Sequence, residues 1–222
     1  MKNILILMGI IMASAAGAQS DREWEFQIRA GFGFEAYASN RDLRYELGGF
    51  ENTDKETGEA VTKFIPIEFR FEFHPRFNAG IDMKFGSSIY ETAKGKSGKS
   101  NRFATIGIGL ELNLVNRPNF RWYVGMGFNS TGLEVVEEKF LGSISYNETA
   151  TWRGGGFKMN SGVLIFFGDS RIGMNTNLGY DGHNLKLRDF SRDDSSLNID
   201  GLSGDLTIRG VDWTLGLVVR LY

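Results

Sequence analysis

Residues 63–75 read KFIPIEFRFEFHP, and large apolar side chains alternate with charged ones almost without interruption. Ile65, Ile67, Phe69, Phe71 and Phe73 fall on one face, and Pro66, Glu68, Arg70, Glu72 and His74 fall on the other. A period of two is the signature of a β-strand with two unlike faces. The pattern alone leaves open which face looks outward. If the surroundings are water, the Phe/Ile face is core; if they are hydrocarbon, the assignment is inverted and the charges face inward.

The bulk of the chain narrows the choice. It begins MKNILILMGIIMASAAGAQS, with Lys2 as a positive start, an apolar run from Ile4 to Met12, and Ala16-Gly17-Ala18 as a small-residue cleavage site. This reads as a secretory signal peptide over residues 1–18, leaving 19–222 as a single domain. No later apolar run has the roughly 18 residues of a spanning helix. The formal charge is −2, and losing Lys2 with the leader makes it −3, which argues against a nucleic-acid partner. Without cysteine, an exported chain needs a large core or a closed hydrogen-bonded sheet. With 29 Gly and 18 Phe against 3 Pro, the composition suits many strands.

Alternation recurs along the whole chain. Apolar sets begin at Trp24, Ile65, Ala79, Ala104, Phe120, Phe157, Ile172 and Val211, each interleaved with polar residues or glycine, which gives eight strands. Tight turns stand at His74-Pro75-Arg76-Phe77, Asn116-Arg117-Pro118-Asn119 and Gly168-Asp169-Ser170-Arg171. Between them come long polar links, at residues 39–61, 91–102, 133–151 and 181–204. Strict alternation of short and long connections is the habit of an up-and-down transmembrane β-barrel, with short periplasmic turns and long extracellular loops.

Glycine placement decides between the faces. Within the strands, residues such as Gly31, Gly80, Gly109, Gly127, Gly179 and Gly216 share the charged face, never the apolar one. An eight-stranded barrel has an interior just wide enough for side chains, so long charged groups can cross it only where their neighbours are empty. The charged face is therefore the inside. There, Arg29, Arg70, Lys84, Arg121, Lys158 and Arg220 are expected to pair with Glu35, Glu68, Glu72, Asp82, Glu111 and Asp212, plugging the lumen. Ile65 to Phe73 covers about nine positions, close to the 9–11 that a tilted strand needs to span. Pro66 lacks a donor, and is expected to mark a bulge or to lie above the membrane. Trp24, Phe77, Phe120 and Trp122 gather near the short-turn end as an interfacial aromatic girdle.

These features together resemble the OmpA/OmpX-like eight-stranded outer-membrane barrels of the porin-like superfamily. The resemblance covers the mature chain and includes its last strand, VDWTLGLVVRLY. It implies a cell outer-membrane location in a Gram-negative bacterium and insertion by the outer-membrane assembly machinery. That machinery would read a C-terminal signal formed by Trp213, Leu217, Val219, Leu221 and Tyr222. Tyr222 shares a face with Arg220 and Val218, a departure from the usual alternation. The resemblance further implies a monomer in contact with membrane lipid and lipopolysaccharide. Such barrels serve adhesion, anchoring, minor pores and lipid modification, so the fold names no activity.

Candidate chemistry is sparse, and neither a cofactor nor a metal nor a catalytic set is expected. His183, beside Asp181, is placed at the external end of the seventh strand, where Ser191, Ser195 or Ser196 would have to approach it for lipid-modifying chemistry; a plain loop histidine is the simpler reading. His74 reads as a turn residue. Asp193, Asp194, Asp200 and Asp205 lack calcium-loop spacing. The GKSGKS stretch at 95–100 lacks the strand-to-helix context of a phosphate loop. Lys94, Lys96, Lys99 and Arg102 suit lipopolysaccharide phosphates or simple solvation. The expected role is a structural or surface-interaction barrel with a plugged lumen and no enzymatic activity. A narrow solute channel is the alternative, and a lipid A-modifying enzyme a lesser one.

Overall fold

The structure, a computed structural model, describes residues 24–47, 50–92, 99–141, 144–168, 170–193, 195–196 and 202–221. Residues 1–23, which include the expected leader, and Tyr222 lie outside these. Eight long strands follow one another: β1 (Glu25–Leu47), β2 (Phe50–His74), β3 (Phe77–Thr92), β4 (Lys99–Arg117), β5 (Phe120–Leu141), β6 (Ile144–Phe166), β7 (Ile172–Arg192) and β8 (Leu202–Leu221). Each pairs antiparallel with the next, and β1 pairs with β8 from Phe26↔Leu221 to Tyr45↔Leu202, closing the ring. A two-residue ladder at Ser195–Ser196 adds to the end of β7. Closure leaves no free edge, which is how a sheet satisfies its backbone in lipid.

The strands run from 16 to 25 residues, far more than a bilayer requires. All the surplus is at the long-link end. Leu47 opposes Phe50, and Leu141 opposes Ile144, so much of the sequence read as polar link is paired strand. The physical reason is a change of polarity without a change of parity. In the lower barrel the outward positions are apolar, with Phe26, Phe32, Ile106, Leu110, Met126 and Leu217 all about half exposed. Past Ala38, Ser130, Gly155 and Gly182 the outward residues turn polar, as at Asn40, Glu134, Arg153 and Asn184. The inward ones become apolar there, and Leu133, Trp152, Leu185, Leu206 and Ile208 form a buried core. A lipid-facing barrel is thus continued by one built like a water-soluble β-barrel.

Pro66 corrects the expectation placed on it. It points inward within the apolar belt, buried, between the outward-facing Ile65 and Ile67. The β1–β2 register is the same on both sides of it (Ala30↔Ile67, Gly33↔Phe64), and the pairing simply lapses at Gly31 and Phe32. There is no bulge at this site. A missing N–H costs local ladder bonds, and the ladder absorbs the loss as a gap.

Candidate functional site: lumen and outer vestibule

The three short turns close one end of the cylinder. His74 Nδ1 accepts from the Arg76 amide at 3.1 Å, confirming it as a turn residue. Pro75 O accepts from Asn113 Nδ2 at 3.1 Å and from Asn116 Nδ2 at 2.5 Å. Just inside, Arg121 reaches Glu25 and Glu72 at 2.9 and 2.8 Å. Arg220 donates to Pro118 O at 2.7 Å and lies over the Phe166 ring, 3.2 Å from its centroid. Phe166 belongs to a buried apolar cluster with Tyr123, Leu164 and Val218. Sequence parity puts Tyr123 and Val218 on the inward face but describes that face as a charge network, with no apolar cluster in it. These four follow the inward parity, but their chemistry matches neither face rule, so alternation alone gave no reason to expect a plug.

Above this floor sits the central network. Arg29 holds Glu111 through two hydrogen bonds of 2.8 and 2.9 Å, and its guanidinium covers the Tyr123 ring at 4.7 Å. Arg70 donates to Glu111 at 2.7 Å and to Asp82 at 2.5 Å. Glu68 is shared by Arg29, Arg70 and Lys158, each at 3.4 Å. Paired, charge-assisted bonds of this kind offset the desolvation of burying ions. Higher still, Lys84 bridges Asp181 and Asp212. Glu35 lies beside them, directly opposite Asp212 on β1 and β8.

The twelve charged residues singled out from sequence all face this interior. Glu25, Asp181 and His183, which the sequence-derived set does not include, join them there. Glu25 stood on the charged face of the first strand, so that signal was available. Asp181 and His183 stand where the polar link is expected to begin, whereas β7 continues through them. His183 is 7% exposed, and Thr131 Oγ1 lies 3.1 Å from its Nδ1. Ser191 is eight residues further up the same extended strand, roughly 26 Å away at 3.3 Å per residue. Ser195 and Ser196 pair beyond it. The backbone of all three serines thus stands at the outer end of β7, far along the strand from His183. Asp193 turns at the end of β7 while Asp205 sits on β8, and Asp194 and Asp200 lie outside the described residues. Lys94 and Lys96 also lie outside them; Arg102 is exposed on β4.

Among the described residues, the pockets along the cylinder are small. A cavity of about 40 Å³ at the outer end is lined by Tyr37, Arg41, Glu137 and Trp152 among others. There, Arg41 pairs with Glu56 and with Glu137. A cavity of about 30 Å³ lies beneath it, bounded by Glu35, Lys84, Thr131 and His183. Pockets beside Pro66 and beside Gly107 are about 10 Å³ each. On the outer surface Trp24, Phe77, Phe120 and Trp122 ring the short-turn end, all about two-fifths exposed. Trp213, Leu217 and Leu221 face outward on β8, and Val219 is half-buried on the same face.

No known protein family and no curated protein matches the chain. Solved structures do. OprG, an outer-membrane protein of Pseudomonas aeruginosa, superposes over 89% of this chain and 96% of its own, at 14% identity and a TM-score of 0.55. The outer-membrane protein AlkL aligns over 92% of this chain and 94% of its own, at 13% identity and a TM-score of 0.48. Ail of Yersinia pestis, an attachment invasion locus protein, aligns over 90% of this chain and all of its own, at 12% identity and a TM-score of 0.42. At these identities the likeness concerns fold. Closed antiparallel topology, inverted faces and the OprG superposition agree: the chain has the fold of the eight-stranded outer-membrane β-barrels, the OmpA/OmpX-like architecture.

Proposed function

We propose that this chain is a non-enzymatic barrel of the outer membrane, delivered there after cleavage of its leader, whose lumen stays shut and whose outer strand extensions meet surface ligands. The observation that carries this reading is the filled interior. From the Arg121 pairs through the Arg29–Glu111–Arg70 network to Lys84, ion pairs succeed one another with pockets of only about 10 to 40 Å³ between them. A water molecule fits such spaces and a hydrated solute does not. The extensions supply a rigid, polar platform on their own apolar core. Near its base, Arg102, Arg153, Lys186, Arg188 and Arg209 stand exposed just beyond the belt, suited to lipopolysaccharide phosphates. Outward Trp213, Leu217 and Leu221 support recognition of β8 by the insertion machinery.

The alternative is a narrow channel, which requires the lumen pairs to part. Planar-bilayer recording on the refolded protein separates the two. The plugged barrel gives no steady conductance, and a stable open current would overturn it.

A further inference from the structure

Charges along the barrel axis are unevenly matched. In the central network three cations, Arg29, Arg70 and Lys158, meet three carboxylates, Glu68, Asp82 and Glu111. In the next group outward, Lys84 alone meets Asp181 and Asp212, with Glu35 beside them. Lys158, the strand partner of Asp181, turns instead to Glu68 and Asp82. With all carboxylates ionised, one positive charge faces three negative ones, an excess of two in a buried place. Burial penalises such an excess heavily unless something compensates it.

The geometry points to what that is. One ligand atom from each of Glu35, Asp181 and His183 lies within 4.8 Å of the others. Glu35 is 6% exposed and, among the described residues, accepts no hydrogen bond, with Lys84 acting on it only as a nearby charge. Asp181 Oδ1 and Asp212 Oδ1 are buried with no hydrogen-bond partner among the described residues. Glu35 and His183 border the cavity of about 30 Å³, which has room for an ion and one water. Thr131, itself 3.0 Å from Thr105, holds His183 Nδ1 as outer partners hold metal-ligating imidazoles.

We propose that Glu35, Asp181 and His183 form a binding site for one divalent metal ion, zinc being the best match to two carboxylates and an imidazole with a position left open. Three protein ligands plus water is a familiar zinc arrangement, and imidazole favours it over magnesium or calcium. The ion would balance the excess charge and tie β1 to β7, which β8 separates. Entry is from the outer end, where the two cavities share Tyr37, Leu133 and Ile208 as walls.

The test refolds the full chain in detergent with ZnCl2, removes free ion by desalting, and measures zinc by mass spectrometry. Heat-modifiable gel migration verifies folding for every variant. About one zinc per chain is expected. Glu35→Gln and the near-isosteric His183→Gln should each lower retained zinc by roughly ten-fold or more. Asp205→Asn, on the outer surface of β8, should leave it unchanged. Cobalt substituted for zinc adds a visible absorption band that His183→Gln should remove. A folded wild-type barrel without zinc would overturn the assignment and mean that protons balance the carboxylates. Undiminished zinc in both folded ligand variants would overturn it equally.

Discussion

Arg29 and Glu111 face each other across the lumen and share two parallel hydrogen bonds of 2.8 and 2.9 Å, although they stand 82 positions apart in the chain. Glu111 also accepts from Arg70 at 2.7 Å, so one carboxylate ties β1, β2 and β4 together. Both side chains of the first pair are 1% exposed. Neutralising the carboxylate leaves two buried guanidinium groups with only Glu68 and Asp82 between them in a low-dielectric core. Glu111→Gln should lower the unfolding free energy by about 3–5 kcal/mol, read from urea titrations in phospholipid vesicles. A loss below about 1 kcal/mol would show that water reaches the network.

The outer face of the belt tolerates no charge at mid-depth. Leu110 and Met126 oppose each other on β4 and β5, 49% and 62% exposed. Leu110→Arg should cost about 2–4 kcal/mol in a bilayer. Asn184→Arg, outward but beyond the belt, should stay within about 0.5 kcal/mol. Equal costs at the two positions would refute the boundary drawn between them.

Trp152 anchors the outer core, 1% exposed among Leu133, Leu185, Leu206 and Ile208. Trp152→Ala should cost about 3–5 kcal/mol, and the damage should be local. Amide exchange is expected to accelerate in the outer parts of β5 to β8 while the belt stays protected. Uniform acceleration around the barrel would mean that the two halves share one core.

How much of this was legible beforehand depends on what parity can report. Alternation through Ile65–Phe73 or Ile106–Leu114 revealed the strands, and glycines on the charged face revealed the inversion. Beyond Gly154-Gly155-Gly156 the same alternation continues, as in Asn184-Leu185-Lys186-Leu187-Arg188, but with polarity exchanged. Judged by the belt's pattern it resembled polar link, and judged for parity it was strand. Asp181 and His183 were misplaced for this reason. The cross-lumen partners were beyond reach altogether. Lys84 and Asp212, 128 positions apart, meet only once the ring closes with a definite stagger. Tyr123, Leu164, Phe166 and Val218 needed the same closure to become a plug.

Gly162 shows how tightly the inside is filled. A Cβ there would come within 2.3 Å of Tyr123 Oη and 2.5 Å of its Cζ, so the phenol end occupies the space above the bare backbone. Gly162→Ala should displace Tyr123 from Asn175, its partner at 3.2 Å, and cost about 1–3 kcal/mol. At Gly132 a Cβ meets nothing within 4 Å. Gly132→Ala should therefore be neutral or gain up to about 1 kcal/mol. Thermal unfolding of the two variants in one detergent ranks them, and the opposite order would contradict the packing described.

The exchange of faces along a single set of strands is the claim on which the remainder stands, and tryptophan reports on it directly. Trp213 lies outward in the belt, 42% exposed, whereas Trp152 lies inward beyond it, 1% exposed. Single-tryptophan proteins retaining one or the other should be refolded into vesicles whose acyl chains carry bromine. Strong quenching of Trp213 with Trp152 left bright is the expected result. Quenching of Trp152, or a Trp213 that bromine leaves untouched and aqueous iodide extinguishes, would contradict it.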